Sequence, residues 1–328
     1  MLQILYEVFG KFYRRLNVSL SFFFLNRHSL KKYQKHIETF KDIQKIHDTE
    51  KLEVLNKKFI FNSFRKIKDD VISIIQNEKK LKTFLSNDII HSFMFGLNRL
   101  FFFFELQELK KDKKWNKYWK KIIREDPIGN PIPYFLYPSS SGNRIHEVFN
   151  LKKLHDLDQE NNLKKIKYVI EFGGGYGGFA RIVKNILKIK KYFIYDLKEI
   201  NYLQYYYLTM LDEKVIFFKE KVNKNNNVYL FFDYKKLIRA TSEINLDETL
   251  FVSNWAISET PIVLRKKFEH IIMSCKLNFF AFQEFYGNVN NHKYFERILN
   301  KNMKNTLFYN RNLERHTYML SWRSRRLK

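Results

Sequence analysis

The chain has 328 residues, of which 45% are hydrophobic and 17% aromatic, so it can fill a large core and is not disordered throughout. Its single cysteine, Cys275, excludes an intramolecular disulfide framework and a cysteine-based zinc site, and fits a reducing compartment. The 60 lysines and arginines against 34 acids leave a net charge of +26, which favours anionic partners. Because lysine far outnumbers arginine, a compositional bias explains the same excess equally well.

No stretch approaches the roughly 18 uninterrupted apolar residues that a membrane-spanning helix needs. The N-terminal sequence MLQILYEVFGKFYRRLN has no basic leader before its apolar part and no small-residue cleavage site. We therefore expect no signal peptide and a soluble, cytoplasmic protein.

Residues 1–125 are predicted to form a helical region. Ser86 or Asn87 is a candidate N-cap for a helix whose apolar residues follow at helical spacing. These are Ile90, Phe93, Met94, Leu97, Leu100, Phe101 and Phe104. The sequence KKDKKWNKYWKK, residues 110–121, then mixes basic and aromatic side chains. It is either the end of an amphipathic helix with a solvated basic face or a contact for phosphates or an anionic membrane surface.

Residues 126–164 are predicted to be a connector and a possible lid. The sequence DPIGNPIPYFLYPSSSGNR, residues 126–144, holds four of the five prolines of the chain. Proline and glycine at this density indicate a loop rather than the interior of a helix.

Residues 165–328 alternate short apolar runs with helical segments, which predicts a doubly wound, Rossmann-like α/β domain with a mostly parallel sheet. The last two runs leave no room for a helix between them and predict an antiparallel hairpin that closes the sheet. The runs are Tyr168–Phe172, Tyr192–Tyr195, Val215–Phe218, Leu250–Val252, Phe279–Phe282, Thr306–Tyr309 and Tyr318–Trp322.

The sequence YVIEFGGGYGGFARIVKN, residues 168–185, places five of the ten glycines of the chain within six positions. Apolar residues at helical spacing follow, so the cluster is predicted to be a turn from the first strand of the sheet into a helix. Ligands bind at such turns, because backbone N–H groups and the helix N-terminus face the crevice. The glycines let a ligand approach the backbone, because a side chain would block it.

Two ligand-binding patterns fit the turn. Gly173, Gly175 and Gly178 satisfy the dinucleotide pattern G-x-G-x-x-G. The acid Glu171 with Gly173, Gly175 and Gly177 satisfies acid-x-G-x-G-x-G instead. A pyrophosphate beside Glu171 would be repelled by an energy of order 1 kcal/mol or more. The same carboxylate attracts a ligand that carries an ammonium and a sulfonium, as S-adenosylmethionine does.

Asp196 ends the second strand about 20 residues after the glycines, where an acid can bind both ribose hydroxyls. NAD enzymes share this feature, so it indicates that a nucleoside binds here but does not distinguish S-adenosylmethionine from NAD. The alternative is that Glu171 and Asp196 are merely exposed acids at the ends of strands.

The segments IEFGGGYGGFARIV, IYDLKEINYLQYYYL and LFVSNWAISE resemble class I S-adenosylmethionine-dependent methyltransferases, and more narrowly the sugar O-methyltransferases of bacterial surface-polysaccharide clusters. That family similarly has E-x-G-G-G-Y-G-G at the turn, and D-L followed by an aromatic-rich helix after the second strand. Its fourth-strand segment is matched in this chain by Asn254, Ser258 and Glu259. The resemblance covers roughly residues 126–284, includes GNP at 129–131, and is strongest at the glycine turn.

The resemblance implies methyl transfer to a hydroxyl, which requires a base for the hydroxyl proton near the carboxyl ends of strands four and five. Glu259 follows strand four, and Thr260 and Pro261 are predicted to be the cap and first residue of the next helix. We expect Glu259 to be this base or to position the hydroxyl, and Asn254 to contact cofactor or acceptor. An acid stabilised by the helix dipole is the equally weighted alternative for Glu259.

His146, which follows the proline-rich stretch, is the second candidate base, because imidazole titrates near neutrality. A lone histidine more often has a structural role. No compact ligand spacing predicts a metal site, although the scattered acids Asp233, Glu259 and Glu284 could converge.

The sequence therefore predicts an S-adenosylmethionine-dependent O-methyltransferase that acts on a sugar or glycan, with phosphates on the acceptor giving the basic surface a purpose. One rival is a nucleic-acid methyltransferase, suggested by the charge and by the tail SWRSRRLK. No RNA-binding module is recognised, however, and the N/D-P-P-Y/F signature of amino-group methylation is missing after strand four. The other rival is a non-catalytic assembly partner that retains the cofactor turn.

Overall fold

The computed structural model describes residues 30–49, 62–93, 100–217, 227–299, 303–310 and 316–323, together with the single residues Val8 and Phe12. Apart from Val8 and Phe12, the N-terminal sequence lies outside these ranges, as do residues 94–99 of the predicted helix and the tail beyond Arg323. Within them, no helix combines the length and the apolar character that crossing a membrane requires.

Helices and strands alternate along most of the chain. The helices are α1 (Leu30–Thr49), α2 (Asn62–Ile75), α3 (Glu78–Lys82), α4 (Asp88–Phe93), α5 (Leu100–Lys111), α6 (Lys120–Ile122), α7 (Gly142–Leu157), α8 (Gly178–Ile186), α9 (Lys198–Met210), α10 (Tyr234–Thr241), α11 (Ile262–Ser274) and α12 (Asn291–Leu299). The strands are β1 (Pro133–Tyr134), β2 (Tyr137–Ser141), β3 (Tyr168–Phe172), β4 (Lys191–Tyr195), β5 (Val215–Phe217), β6 (Asn227–Phe231), β7 (Thr249–Asn254), β8 (Leu277–Gln283), β9 (Phe285–Tyr286), β10 (Val289–Asn290), β11 (Met303–Asn310) and β12 (His316–Arg323).

The chain divides into two compact units, residues 1–149 with 199–213 and residues 150–198 with 214–328. The predicted domains 1–125, 126–164 and 165–328 remain a prediction. The segment predicted to be a connector contains the antiparallel pair β1–β2 and the 16-residue helix α7.

The first unit is mainly helical where it is described. Asn87 rather than Ser86 precedes α4, and its Oδ1 accepts a hydrogen bond from the Ile89 N–H at 2.9 Å, as an N-cap does. Arg144 is buried, and its guanidinium donates to Glu125 at 3.1 Å, to Asp126 at 3.0 Å and to the Tyr207 hydroxyl at 2.8 Å. This cluster ties the segment 199–213 to the rest of the first unit.

The second unit contains an eight-stranded sheet in the order β11-β12-β8-β7-β3-β4-β6-β5. Strands β5, β6, β4, β3, β7 and β8 run parallel, and β12 pairs antiparallel with both β8 and β11. The predicted Rossmann-like sheet with its C-terminal antiparallel hairpin is therefore confirmed. Strand β6, with the sequence NVYLF, was not predicted, and Phe218 of the predicted third run lies outside the described residues.

Near-continuous apolar sequences form these strands because both faces of the sheet are covered. On one face of β3 and β4, Ile170, Phe172, Phe193 and Tyr195 belong to a large buried cluster with residues of β6, β7 and α11. Side chains alternate along a strand, so Glu171 projects from the opposite face.

The strand order fixes where a ligand can reach the sheet. From β3 the chain continues to β4 and then to the edge strand β5, with β6 inserted between them, whereas β7 lies on the other side of β3. The connections that leave β3 and β7 therefore continue toward opposite edges of the sheet, and α/β sheets bind ligands at such a point.

Candidate functional site

The glycine turn connects β3 to α8 as predicted. Gly173, Gly175 and Gly177 have φ angles of 77°, 55° and 96°, in the left-handed region that residues with a Cβ rarely adopt. The Gly173 N–H donates to the Tyr195 carbonyl of β4 at 2.8 Å, and the Gly177 N–H donates to Gly174 at 2.9 Å. Gly177 is the N-cap of α8.

Gly173 also lies against the loop that follows β7. A Cβ added at Gly173 would overlap the Cβ of Ala256, whereas one added at Gly175 would meet nothing within 4 Å. The buried Ser253 joins the same two segments, because its hydroxyl donates to the Phe172 carbonyl at 2.8 Å and accepts from the Ile257 N–H at 3.0 Å. Gly173 is therefore required by the packing of two loops, while a Cβ at Gly175 would meet no atom of the described residues.

Glu171 is the acid that the sequence places beside the turn. Its side chain is buried, with 1% of its surface exposed, and it accepts a hydrogen bond from the Tyr192 hydroxyl at 3.0 Å. The residue is thus not an exposed acid at the end of a strand. The hydroxyl holds one carboxylate oxygen and orients the group.

Asp196 and Asn254 lie at the same edge of the sheet, after β4 and at the end of β7. Asp196 is half-buried, its N–H donates to the Phe231 carbonyl at 2.9 Å, and its Oδ1 accepts from the Leu197 N–H at 2.8 Å. The Oδ1 atom of Asn254 is buried, and none of the described residues donates a hydrogen bond to it. Buried polar atoms are rarely left unpaired, so this amide is suited to a ligand.

Glu259 ends a short 3₁₀ helix, residues 256–259, that directly follows β7. Its Oε1 accepts a hydrogen bond from Gln283 Nε2 at 3.2 Å. Burial raises the pKa of the Glu259 carboxyl, and the Gln283 hydrogen bond and the positive charge of Arg265 oppose that rise in part. A carboxyl with a raised pKa at the edge of a sheet is suited to accept a proton.

The helix after this loop begins one residue later than predicted. Pro261 is the N-cap, and α11 starts at Ile262. Thr260 does not cap the helix, because its hydroxyl donates to the Ile257 carbonyl at 2.9 Å and so stabilises the 3₁₀ turn instead.

Arg265 holds the Glu259 loop in place and was missed by sequence reasoning. It is fully buried, and its guanidinium donates to the carbonyl of Thr260 at 2.7 Å, to Asn291 Oδ1 at 2.6 Å and to the carbonyl of Ser258. Arg265 precedes the buried Phe268 by three residues and Ile272 by seven, which places it on the apolar face of α11. A charged residue on an apolar helix face is the sequence feature that could have identified it.

Trp255 is a second residue that the sequence did not single out. It has φ 63° and ψ −38°, a rare conformation for a bulky residue, and such outliers concentrate at functional sites. Its indole N–H donates to His316 Nδ1 at 2.6 Å, and its backbone N–H donates to the Ala281 carbonyl of β8 at 2.7 Å. His316 begins β12 opposite Gln283, so antiparallel pairing brings it to the edge that holds Glu259.

His146, the other predicted base, belongs to the first compact unit, whereas Glu171 and Glu259 belong to the second. Its Nδ1 lies 2.8 Å from Oε1 of the buried Glu105, and its ring contacts those of Phe101 and Phe102. These contacts fit the structural alternative for His146, and its role as a base stays a prediction.

Asp233, Glu259 and Glu284 do not converge on a metal site. Among the residues that the structure describes, no group of three or more His, Cys, Asp or Glu side chains is arranged to hold a metal ion. Asp233 instead caps α10 by accepting from the N–H groups of Lys235 and Lys236.

No protein-family model matches the sequence, and no curated protein is matched by it. An rRNA methylase from Streptococcus thermophilus is 11% identical over 53% of this chain and 96% of its own, with a TM-score of 0.37. The magnesium protoporphyrin IX methyltransferase of Synechocystis with bound S-adenosylmethionine is 12% identical over 68% and 91%, with a TM-score of 0.36. An O-methyltransferase family protein from Burkholderia thailandensis is 12% identical over 55% and 60%, with a TM-score of 0.34. Such distant likenesses assign no activity to this chain, so its function has to follow from its own residues.

The contact of Gly173 with Ala256 predicts unequal costs for two matched substitutions. Gly173→Ala should lower the free energy of unfolding by about 3 kcal/mol, because left-handed strain and a steric overlap add together. Gly175→Ala carries only the strain and should cost about 1 kcal/mol. Urea denaturation of both variants measures the difference.

Adding Ala256→Gly removes the overlapping methyl and should restore about 1–2 kcal/mol to the Gly173→Ala variant. Equal costs at positions 173 and 175, with no coupling between positions 173 and 256, would show that the two loops do not pack against each other.

Proposed function

We propose that the chain is an S-adenosylmethionine-dependent O-methyltransferase whose acceptor is a sugar hydroxyl, on a surface polysaccharide or its nucleotide-sugar precursor. One observation carries the proposal: the buried carboxylate of Glu171 lies directly before a turn of positive-φ glycines, at the carboxyl edge of a parallel sheet. A dinucleotide would bring its pyrophosphate to this negative charge, whereas a cationic methyl donor is stabilised by it.

The residues at this edge fit the proposed cofactor. Gly175 leaves open space beside its backbone, and Asp196 follows β4, where an acid can bind ribose hydroxyls. The buried Oδ1 of Asn254 accepts no hydrogen bond from the residues that the structure describes, and it is suited to an ammonium or an amino group. Glu171, the glycine turn, Asp196 and Asn254 are thus proposed to hold the cofactor.

When bound, S-adenosylmethionine supplies an electrophilic methyl group on a sulfonium. Glu259 is proposed to accept the proton of the acceptor hydroxyl, because burial raises the pKa of its carboxyl and so makes it a better base than an exposed acid. Gln283 fixes the carboxylate from β8, and Arg265 fixes the carbonyls of the loop that carries it. His146 is kept as a second candidate, although its contacts with Glu105 argue for a structural role.

The choice of a sugar hydroxyl rests on the sequence resemblance, at Asn254, Ser258 and Glu259 and at the E-x-G-G-G-Y-G-G turn. A thermal-shift panel with S-adenosylhomocysteine, NAD, NADP and nucleotide sugars tests cofactor and acceptor separately, because a ligand that binds only the native state raises the melting temperature. We expect a shift with S-adenosylhomocysteine and none with NAD. The reverse result would overturn the assignment.

Glu171→Gln tests the role of the charge, since glutamine keeps the shape and can still accept the Tyr192 hydrogen bond. Affinity for S-adenosylmethionine, measured by isothermal titration calorimetry, should fall about 10- to 100-fold, the value of a hydrogen bond to a charged group. Glu248→Gln is the matched control, because it removes the same charge at the amino edge of the strands, where Glu248 pairs with Lys167. Unchanged affinity in Glu171→Gln would refute the electrostatic account of the turn.

Glu259→Gln should abolish methyl transfer and stabilise the protein at neutral pH. The pKa of Glu259 is raised in the folded protein above its ordinary value of about 4.5. Below about pH 4.5 the carboxyl is protonated in both the folded and the unfolded chain and costs no stability. As the pH rises through the pKa of the folded protein, the free energy of unfolding falls. The variant should therefore melt at a higher temperature than the wild type above that pH, with the gap closing in acid. Differential scanning calorimetry across pH measures the gap.

Gln283→Leu removes the hydrogen bond that opposes the rise in the pKa of Glu259. If Glu259 is the base, the acid limb of the pH–rate profile should move to higher pH in this variant. A profile that stays in place while activity persists would exclude Glu259 as the base.

A further inference from the structure

The segment 110–124 carries a dense positive charge that the proposed chemistry does not use. Its basic side chains are all exposed, and only one acid, Asp112, interrupts them. They are Lys110, Lys111, Lys113, Lys114, Lys117, Lys120, Lys121 and Arg124. Trp119 and Ile123 are buried, so one side of the segment packs into the first unit while the other presents these cations.

Three acids in or next to the segment have partners other than its basic side chains. Asp112 accepts a hydrogen bond from the Lys114 backbone N–H at 2.7 Å, and Glu125 and Asp126 bind the buried Arg144. Over the described part of the chain, none of the eight cations is engaged in an ion pair. The charge is therefore available to an external anion.

Apolar and aromatic groups accompany the charge. Trp115 lies 6.2 Å from the ring of Tyr137, and the ammonium of Lys110 lies 5.3 Å from the same ring. Tyr137 follows the two-residue loop between β1 and β2, and in that loop Leu136 is 46% exposed. An exposed leucine at the tip of a hairpin thus lies beside the lysine-rich segment.

We propose that the eight cations together with Trp115, Tyr137 and Leu136, which we call the lysine surface, dock the protein on an anionic lipid bilayer. Polybasic segments are attracted to anionic headgroups, and tryptophan and tyrosine favour the interface between water and lipid. The exposed leucine adds an apolar group that the acyl boundary can bury. This inference is independent of the proposed methyl transfer, since it uses only residues of the first unit.

The composition of the surface favours lipid over nucleic acid. Seven of its eight cations are lysines, which act as point charges and lack the bidentate geometry with which arginine recognises phosphates. The aliphatic tip at Leu136 offers neither a stacking plane nor a hydrogen bond to a base. The lysines and Leu136 suit an anionic bilayer, which has a diffuse negative surface and an apolar interior.

Co-sedimentation with vesicles made of phosphatidylglycerol and phosphatidylcholine in a one-to-three ratio tests the proposal, with pure phosphatidylcholine vesicles as the neutral comparison. One variant changes Lys113, Lys114, Lys117 and Lys121 to Gln. The matched control changes Lys164, Lys165, Lys190 and Lys266, which are also exposed, so that both variants fall from +26 to +22. A third variant is Leu136→Asn. Unchanged melting temperatures confirm that all three are folded.

The wild type should bind anionic vesicles and not neutral ones. At about fivefold for each of the four lysines, the first variant should bind about 600-fold more weakly, and the control should bind like the wild type. Leu136→Asn should weaken binding about tenfold at unchanged charge. Equal loss in both quadruple variants, no effect of Leu136→Asn, or tighter binding to single-stranded RNA than to the vesicles would each overturn the proposal.

Discussion

The carboxyl edge of the sheet depends on the close approach of two loops, one leaving β3 and the other leaving β7. The approach is possible because Gly173 has no side chain where Ala256 lies, and the hydroxyl of Ser253 bonds to both segments. This contact sets the positions of Asn254 and Glu259 relative to the glycine turn. The glycine turn and the loop that carries Glu259 are therefore held against each other by packing and hydrogen bonds. Fixed relative positions of this kind are what the alignment of reacting groups requires.

Two carboxylates at this edge are kept in different environments. Glu171 is buried and accepts a hydrogen bond from Tyr192, whereas Glu259 has a raised pKa and accepts one from Gln283. Differing environments let two acids serve different purposes, and the proposed function assigns Glu171 to the cofactor and Glu259 to the proton of the acceptor. Trp255 and the buried Arg265 hold the loop between β7 and α11 that carries Glu259. The backbone conformation of Trp255 costs conformational free energy, which the surrounding contacts must offset.

In the first unit the positive charge of the chain is concentrated on one segment, residues 110–124. The buried Arg144 engages Glu125 and Asp126 internally, which leaves the neighbouring lysines without acidic partners in the described residues. This charged surface with an apolar tip is the basis of the proposed contact with an anionic bilayer. The sheet and the lysine surface belong to separate units, so each can be altered without changing the residues of the other.

The sequence by itself determined the local features: the strands flanking the glycine turn, the positions of Glu171 and Asp196, and the C-terminal hairpin. These follow from short-range patterns, because apolar runs, glycine spacing and the lack of room for a crossover act within a few residues. Only the tertiary structure decided that Gly173 accommodates Ala256, that Arg265 holds the Glu259 loop, and that His316 reaches the same edge. Those contacts join residues up to 83 positions apart through strand order and register, and no local pattern specifies such pairings.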